Sequence, residues 1–208
     1  MKKTSTEQTL RQVRGQINIW IADTKVTRLV SAWLFVWYLI THYVPLGIDE
    51  STTTYLFFAT ANPSPGWILA MFSHAGIVHL LGNIGLLLLF GIIIERRIET
   101  RQYLTFLFTT GLITTLFQVL EYNINGITGG MVGASGATFS VVTFALVALL
   151  RSPEDTHRDL IIAAIIILIG QLLNDFTSYL SVSQKASGVV HLSGMIIGAT
   201  FALYHTRR

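Results

Sequence analysis

Six long apolar runs limit what this chain can become. They cover roughly residues 29–46, 77–94, 103–120, 131–150, 160–180 and 188–204. Each is near the ~20 residues that ~30 Å of hydrocarbon requires. In lipid the backbone must satisfy its own N–H and C=O groups, so each run is expected to be a helix. The runs show little polar/apolar alternation at helical period, which argues against a large soluble helical core. Composition points the same way: 51% of the 208 residues are apolar and 12% are charged, about half the charge of an ordinary soluble domain. The expected fold is an all-α membrane protein, a bundle of six transmembrane helices.

Charge gives the orientation. With a cytosolic N-terminus and alternating helices, the cytosolic segments hold Lys2, Lys3, Arg11, Arg14, Lys25, Arg28, Arg96, Arg97, Arg101, Arg151, Arg158, Arg207 and Arg208. Of the 14 Lys and Arg, only Lys185 falls outside. This positive-inside pattern predicts cytosolic N- and C-termini. The net charge of +3 is therefore read as membrane orientation and not as nucleic-acid binding. No run of Lys and Arg interleaved with aromatics appears.

Residues 1–28 are expected to be a cytosolic basic tail, followed by the six-helix domain over 29–208. In the tail, Leu10, Val13, Ile17 and Ile21 repeat at helical spacing, as in a helix lying on a membrane surface; a frayed tail is the alternative. No signal peptide is expected, because the first apolar run starts near residue 29 and no small-residue cleavage site follows it. With no cysteine, disulfides, thiol catalysis and thiolate metal sites are excluded. In the turn RSPEDTHRD, Ser152, Pro153 and Glu154 read as an N-cap, a first-position proline and a first-turn acid. The long loop over 47–76 contains Pro63, Pro65 and several aromatics, and a loop of that length is usually functional. The segment NINGITGG, leading into the fourth run, suits a backbone that must leave helical geometry near a reaction centre.

Polar groups inside membrane runs are costly and point to function. Here they are His42, His74, His79, Asn83, Gln118, Gln171, Asn174, Asp175 and His191. The second, fourth and sixth runs all start on the outer side. His79, Ser135 and His191 each lie about one turn into one of them, so three helices are expected to bring polar groups to one depth. Asn83 follows His79 at i+4, on the same face. A serine and a histidine at one depth suggest a nucleophile and its general base. The side chains of His79 and Asn83, with the Ser135 backbone N–H, would then donate to the oxyanion formed on a carbonyl. Gly133 and Gly136 would clear side chains from around the nucleophile, and the helix N-terminus would favour negative charge.

Three motifs make this specific: GASG at 133–136, HAGIVHLLGN at 74–83 and HLSGMIIG at 191–198. Together and in this order they resemble the rhomboid family of intramembrane serine proteases. The resemblance covers nearly the whole chain after residue 28 and implies a six-helix core. It implies that Ser135 is the nucleophile and His191 the base, a Ser–His dyad without a third acid. By the same resemblance His79 and Asn83 help bind the oxyanion. Phe139, four residues after Ser135, matches an aromatic ring stacked on the histidine. His74, Glu95 and Arg97 match positions read as structural. One departure is the lack of a Trp-Arg pair in TANPSPGWILAMF, where many bacterial members carry one; it touches loop packing, not chemistry. The implied substrates are transmembrane proteins cut in or beside their spans, in a multi-pass protein of the plasma (inner) membrane whose site faces the non-cytosolic side.

Plainer readings stand beside these. Ser135 among glycines also suits helix packing, and Asn83 an interhelical hydrogen bond. Gly194 and Gly198 are read as packing glycines where the sixth run meets the fourth. His42 is read as interfacial. Asn174 and Asp175 are expected to face outer water; the alternative, that Asp175 orients His191 as a third member, stays open. A zinc site from His74, His79 and His191 would leave Ser135 unexplained, so neither a metal nor a cofactor is expected. A catalytically inactive relative that binds membrane proteins is the alternative function, followed by a channel or transporter.

Overall fold

The computed structural model describes residues 24–151, 158–180 and 188–205. Most of the basic tail, the cap reading at Ser152-Pro153-Glu154, and Lys185 lie outside the described residues. Within them the chain runs α1 (Lys25–Tyr43), α2 (Glu50–Phe57), β1 (Ala59–Thr60), α3 (Gly66–Leu69), α4 (Ile77–Glu95), α5 (Thr100–Asn125), β2 (Gly130–Met131), α6 (Ser135–Leu150), α7 (Arg158–Leu180) and α8 (Gly188–His205). A π turn at Leu87–Gly91 interrupts α4. Each of the six apolar runs is helical over most of its length. Among the described residues, four helices are long and apolar enough to cross a membrane by length and composition: α4, α5, α7 and α8. The 16-residue α6 is apolar but shorter.

The reason α6 is short corrects the sequence expectation of one helix over 131–150. The first residues of that run are extended. Met131 and Gly130 pair antiparallel with Ala59 and Thr60. Gly133 then takes φ +129°, a conformation only glycine adopts easily, while its N–H donates to the Ala70 carbonyl at 2.9 Å. The helix therefore begins at Ser135 itself, not a turn before it. Upstream, NINGITGG splits: Asn125 ends α5, and Gly126 caps it in the left-handed region at φ +62°, a common helix stop.

The loop over 47–76 is folded. It contains α2, β1 and α3, and the Trp67 indole N–H lies 2.9 Å from the Thr60 carbonyl and 3.0 Å from that of Asn62. At the other end of the bundle, Glu95 receives the Val26 N–H at 2.6 Å, the Thr27 N–H at 2.9 Å and the Thr27 hydroxyl at 2.7 Å. A carboxylate thus caps the first turn of α1, where the helix dipole favours it. The structural reading of Glu95 agrees with these contacts.

The core is centred on α6, in which every residue from Ser135 to Ala145 is buried. Small residues let α8 close on it. A Cβ at Gly194 would lie 2.2 Å from the Gly136 carbonyl oxygen, and one at Gly198 would lie 2.1 Å from that of Ser140. These are backbone-to-backbone approaches, as the packing reading of the two glycines anticipated. Below them Phe201 of α8 stacks on Phe106 of α5 at 4.5 Å.

Candidate active site

Because α6 starts at Ser135, the backbone N–H groups of its first residues precede the helical ladder. The Ala134 carbonyl receives its bond from Thr138 at 2.9 Å. The Ser135 side chain is thus set at a helix N-terminus, among free N–H groups and the positive end of the helix dipole. Ser135 itself is buried.

His191 is the fourth residue of α8, and its Nε2 lies 3.1 Å from Ser135 Oγ. Three contacts hold the ring. Phe139, one turn below Ser135, meets it edge-on with centroids 5.0 Å apart. On the far side, Nδ1 lies 2.9 Å and 3.0 Å from the two carboxylate oxygens of Asp175. The amide of Gln171 donates to the Asp175 carboxylate at 2.8 Å and lies 3.0 Å from the same Nδ1. Phe139, which the resemblance put against the histidine, is there.

This arrangement overturns the expectation that Asp175 faces outer water. Its side chain is 10% exposed, and that of His191 11%. Only Asn174, the neighbour, is exposed as expected. The reason is helical phase: Asp175 lies one turn from Gln171 and shares the inward face of α7 with Ala164 and Leu168. In the sequence, Gln171 has no role beyond being a polar residue in an apolar run. Its i, i+4 spacing to Asp175 was the available signal that the two act together.

His79 and Asn83 sit on α4. The His79 ring packs against Gly133, where a Cβ would lie 2.6 Å from its Cε1. Asn83 is buried and uses its Nδ2 to donate to the His79 carbonyl at 3.2 Å. One amide hydrogen remains. The glycines around Ser135 are pressed by neighbouring side chains. A Cβ at Gly133 would strike His79, and one at Gly136 would lie 2.1 Å from Thr114 Oγ1 on α5. Both make room for the protein's own side chains.

His74 lies beside this group, its ring edge-on to His79 at 5.1 Å. Its Nδ1–H donates to the Phe72 carbonyl at 3.1 Å. Buried in the segment between α3 and α4, its imidazole is pushed down to about 4 by desolvation and then by the neighbouring His79. His42 lies apart, stacked on Tyr38 at 3.9 Å. Among the described residues, no three His, Asp or Glu side chains are grouped to hold a metal ion.

Chemically, the group offers a hydroxyl and an imidazole within proton-transfer distance, a carboxylate behind the imidazole, and free N–H donors at a helix end. A family model described as the Rhomboid domain matches residues 62–208, well over half of the chain. No curated protein matches it.

Proposed function

The chain belongs to the rhomboid family and is an integral multi-pass membrane protein, and we propose that it is an intramembrane serine endopeptidase. The observation that carries this reading is the 3.1 Å approach of His191 Nε2 to Ser135 Oγ across two helices. All six long apolar helices cross the bilayer, with both termini cytosolic and the site facing the non-cytosolic side of the plasma membrane. The substrates are other transmembrane proteins.

A substrate helix enters laterally between α4 and α7 and unwinds near Ser135, because a helical carbonyl is hydrogen-bonded and shielded. Helix-breaking or small residues near the cut are therefore favoured. Ser135 Oγ attacks the carbonyl carbon while His191 Nε2 takes its proton. The oxyanion is met by the Ser135 backbone N–H, the free amide hydrogen of Asn83 and the His79 imidazole. Removing one such donor costs about 3–4 kcal/mol of transition-state stabilisation in known cases. His191 returns the proton to the leaving amine, and water releases the acyl group through the same base.

A fluorophosphonate probe on the detergent-solubilised chain tests this directly. Wild type is expected to label, and Ser135→Ala and His191→Ala to lose both labelling and cleavage while keeping their thermal unfolding transitions. Labelling that persists in Ser135→Ala overturns the proposal. An unlabelled wild type points instead to an inactive membrane-protein-binding relative.

A further inference from the structure

A carboxylate within an apolar helix is expensive to bury. The cost is several kcal/mol unless it is paired and its lone pairs are satisfied. Asp175 meets that condition in one way. Both its oxygens face His191 Nδ1, and Gln171 supplies a further N–H. A mere tie between α7 and α8 would need no charge, since an amide or an apolar contact would serve. The charge matters for where the imidazole proton sits. A carboxylate only accepts, so Nδ1 must carry the hydrogen, which leaves the Nε2 lone pair facing Ser135 Oγ 3.1 Å away. Gln171 makes the choice sharp. Its amide nitrogen also lies 3.0 Å from Nδ1 and, without the carboxylate, would donate to that atom. The proton would then move to Nε2, where it faces the serine and blocks base catalysis.

We infer that Asp175 is a positioning residue that turns the Ser135–His191 pair into a Ser–His–Asp triad, keeping the imidazole proton on Nδ1. The inference rests on the protease reading above, and it departs from the dyad that the sequence resemblance implies. Asp175 also steadies the imidazolium that forms when Ser135 gives up its proton. Gln171 aims the carboxylate and is itself harmless only while the carboxylate is present.

The test uses the full chain in detergent with a fluorophosphonate probe, whose labelling is followed to saturation so that binding and reaction separate. Asp175→Asn is expected to lower the maximal labelling rate by about 100-fold, short of the ~10⁴-fold seen when a fully enclosed triad loses its acid, with half-saturation unchanged. Adding Gln171→Leu to Asp175→Asn is expected to recover at least about five-fold, because one source of the wrong tautomer is gone; a purely structural tie would lose more. Ring-¹⁵N histidine NMR of wild type is expected to show His191 protonated at Nδ1. That spectrum decides the matter even where the variants fail to fold. Protonation at Nε2, or an Asp175→Asn rate within about two-fold of wild type, overturns the triad and leaves the protease reading standing. A wild type that shows no Ser135-dependent labelling overturns both.

Discussion

Helices α6 and α7 both serve the candidate site, but they are built on opposite terms. In α6 the residues from Ser135 to Ala145 are buried without a break, enclosed by α5 and α8 through Gly136, Gly194 and Gly198. In α7 only Ala164, Leu168 and Asp175 are buried, and many of its isoleucines and leucines, Ile162, Ile166, Ile169 and Leu173 among them, face outward. The hydroxyl is therefore carried by the most tightly held helix and the carboxylate by one of the least. Rigid packing can fix a backbone to within tenths of an ångström, which suits a nucleophile that must meet both a base and N–H donors. The imidazole between them takes its position from α8 and its orientation from α7. Whatever moves α7 acts first on the Asp175–His191 contact and only later on Ser135.

The sharpest way to break this contrast is to burden each helix in turn. Gly198→Val would drive a side chain into the Ser140 carbonyl, 2.1 Å from the new Cβ. Since backbone cannot yield as a side chain does, α8 must move off α6, at an expected cost of about 3 kcal/mol or more. On α7, Ile166→Ala trims a side chain that is 64% exposed and is expected to change stability by less than about 0.5 kcal/mol. Thermal unfolding in detergent measures both. Equal losses would mean that α6 and α7 are held alike.

A second, smaller effect asks whether polar capping rivals packing elsewhere in the bundle. Glu95→Gln keeps the shape but puts an NH₂ where one carboxylate oxygen now receives N–H or O–H donors from Val26 and Thr27. The expected loss is about 2 kcal/mol, the upper range for a helix cap. The rate of Ser135 labelling is expected to hold, because the change lies at the far end of α4 from His79. A loss of labelling that tracks the loss of stability would tie the cap to the site and blur the division between scaffold and chemistry.

What could be read without coordinates divides along the same line. The six apolar runs are helical over most of their length, since a helix satisfies its own backbone N–H and C=O groups, and the pairing of Gly194 and Gly198 with α6 followed from small residues four apart. The start of α6 was misplaced because apolar composition cannot separate a short extended stretch from a helical turn; only the φ of Gly133 and the pairing of Met131 with Ala59 settle it. The packing of His79 on Gly133 and of Thr114 on Gly136 is not legible in the sequence, because these neighbours come from distant parts of the chain. Asp175 was legible in principle. Ala164, Leu168, Gln171 and Asp175 recur at spacings of four, three and four, one inward stripe on a helix that is otherwise largely exposed. Nearness to the end of the run suggested water, and helical phase should have outweighed it.

The imidazoles of His191 and His74 meet different partners at Nδ1. His191 has a carboxylate at Nδ1, whereas His74 has only the Phe72 carbonyl there, and its Nε2 is buried without a partner. A proton added to His74 would be a charge with no counter-ion, and burial accordingly pushes it from 6.5 to about 4. The unfolded chain still takes up that proton near 6.5. Folding therefore gains its full benefit from neutral His74 above that pH, and loses it progressively as the pH falls from about 6.5 toward 4. Between pH 7 and 5.5 the expected loss is on the order of 1 kcal/mol. His74→Gln, which cannot titrate, is expected to be less stable at pH 7 but to lose less between those two pH values. Unfolding temperatures of both proteins at pH 7 and 5.5 measure the difference. Parallel curves would mean that His74 is as free to ionise as an exposed histidine, and that its burial beside His79 costs the charged form nothing.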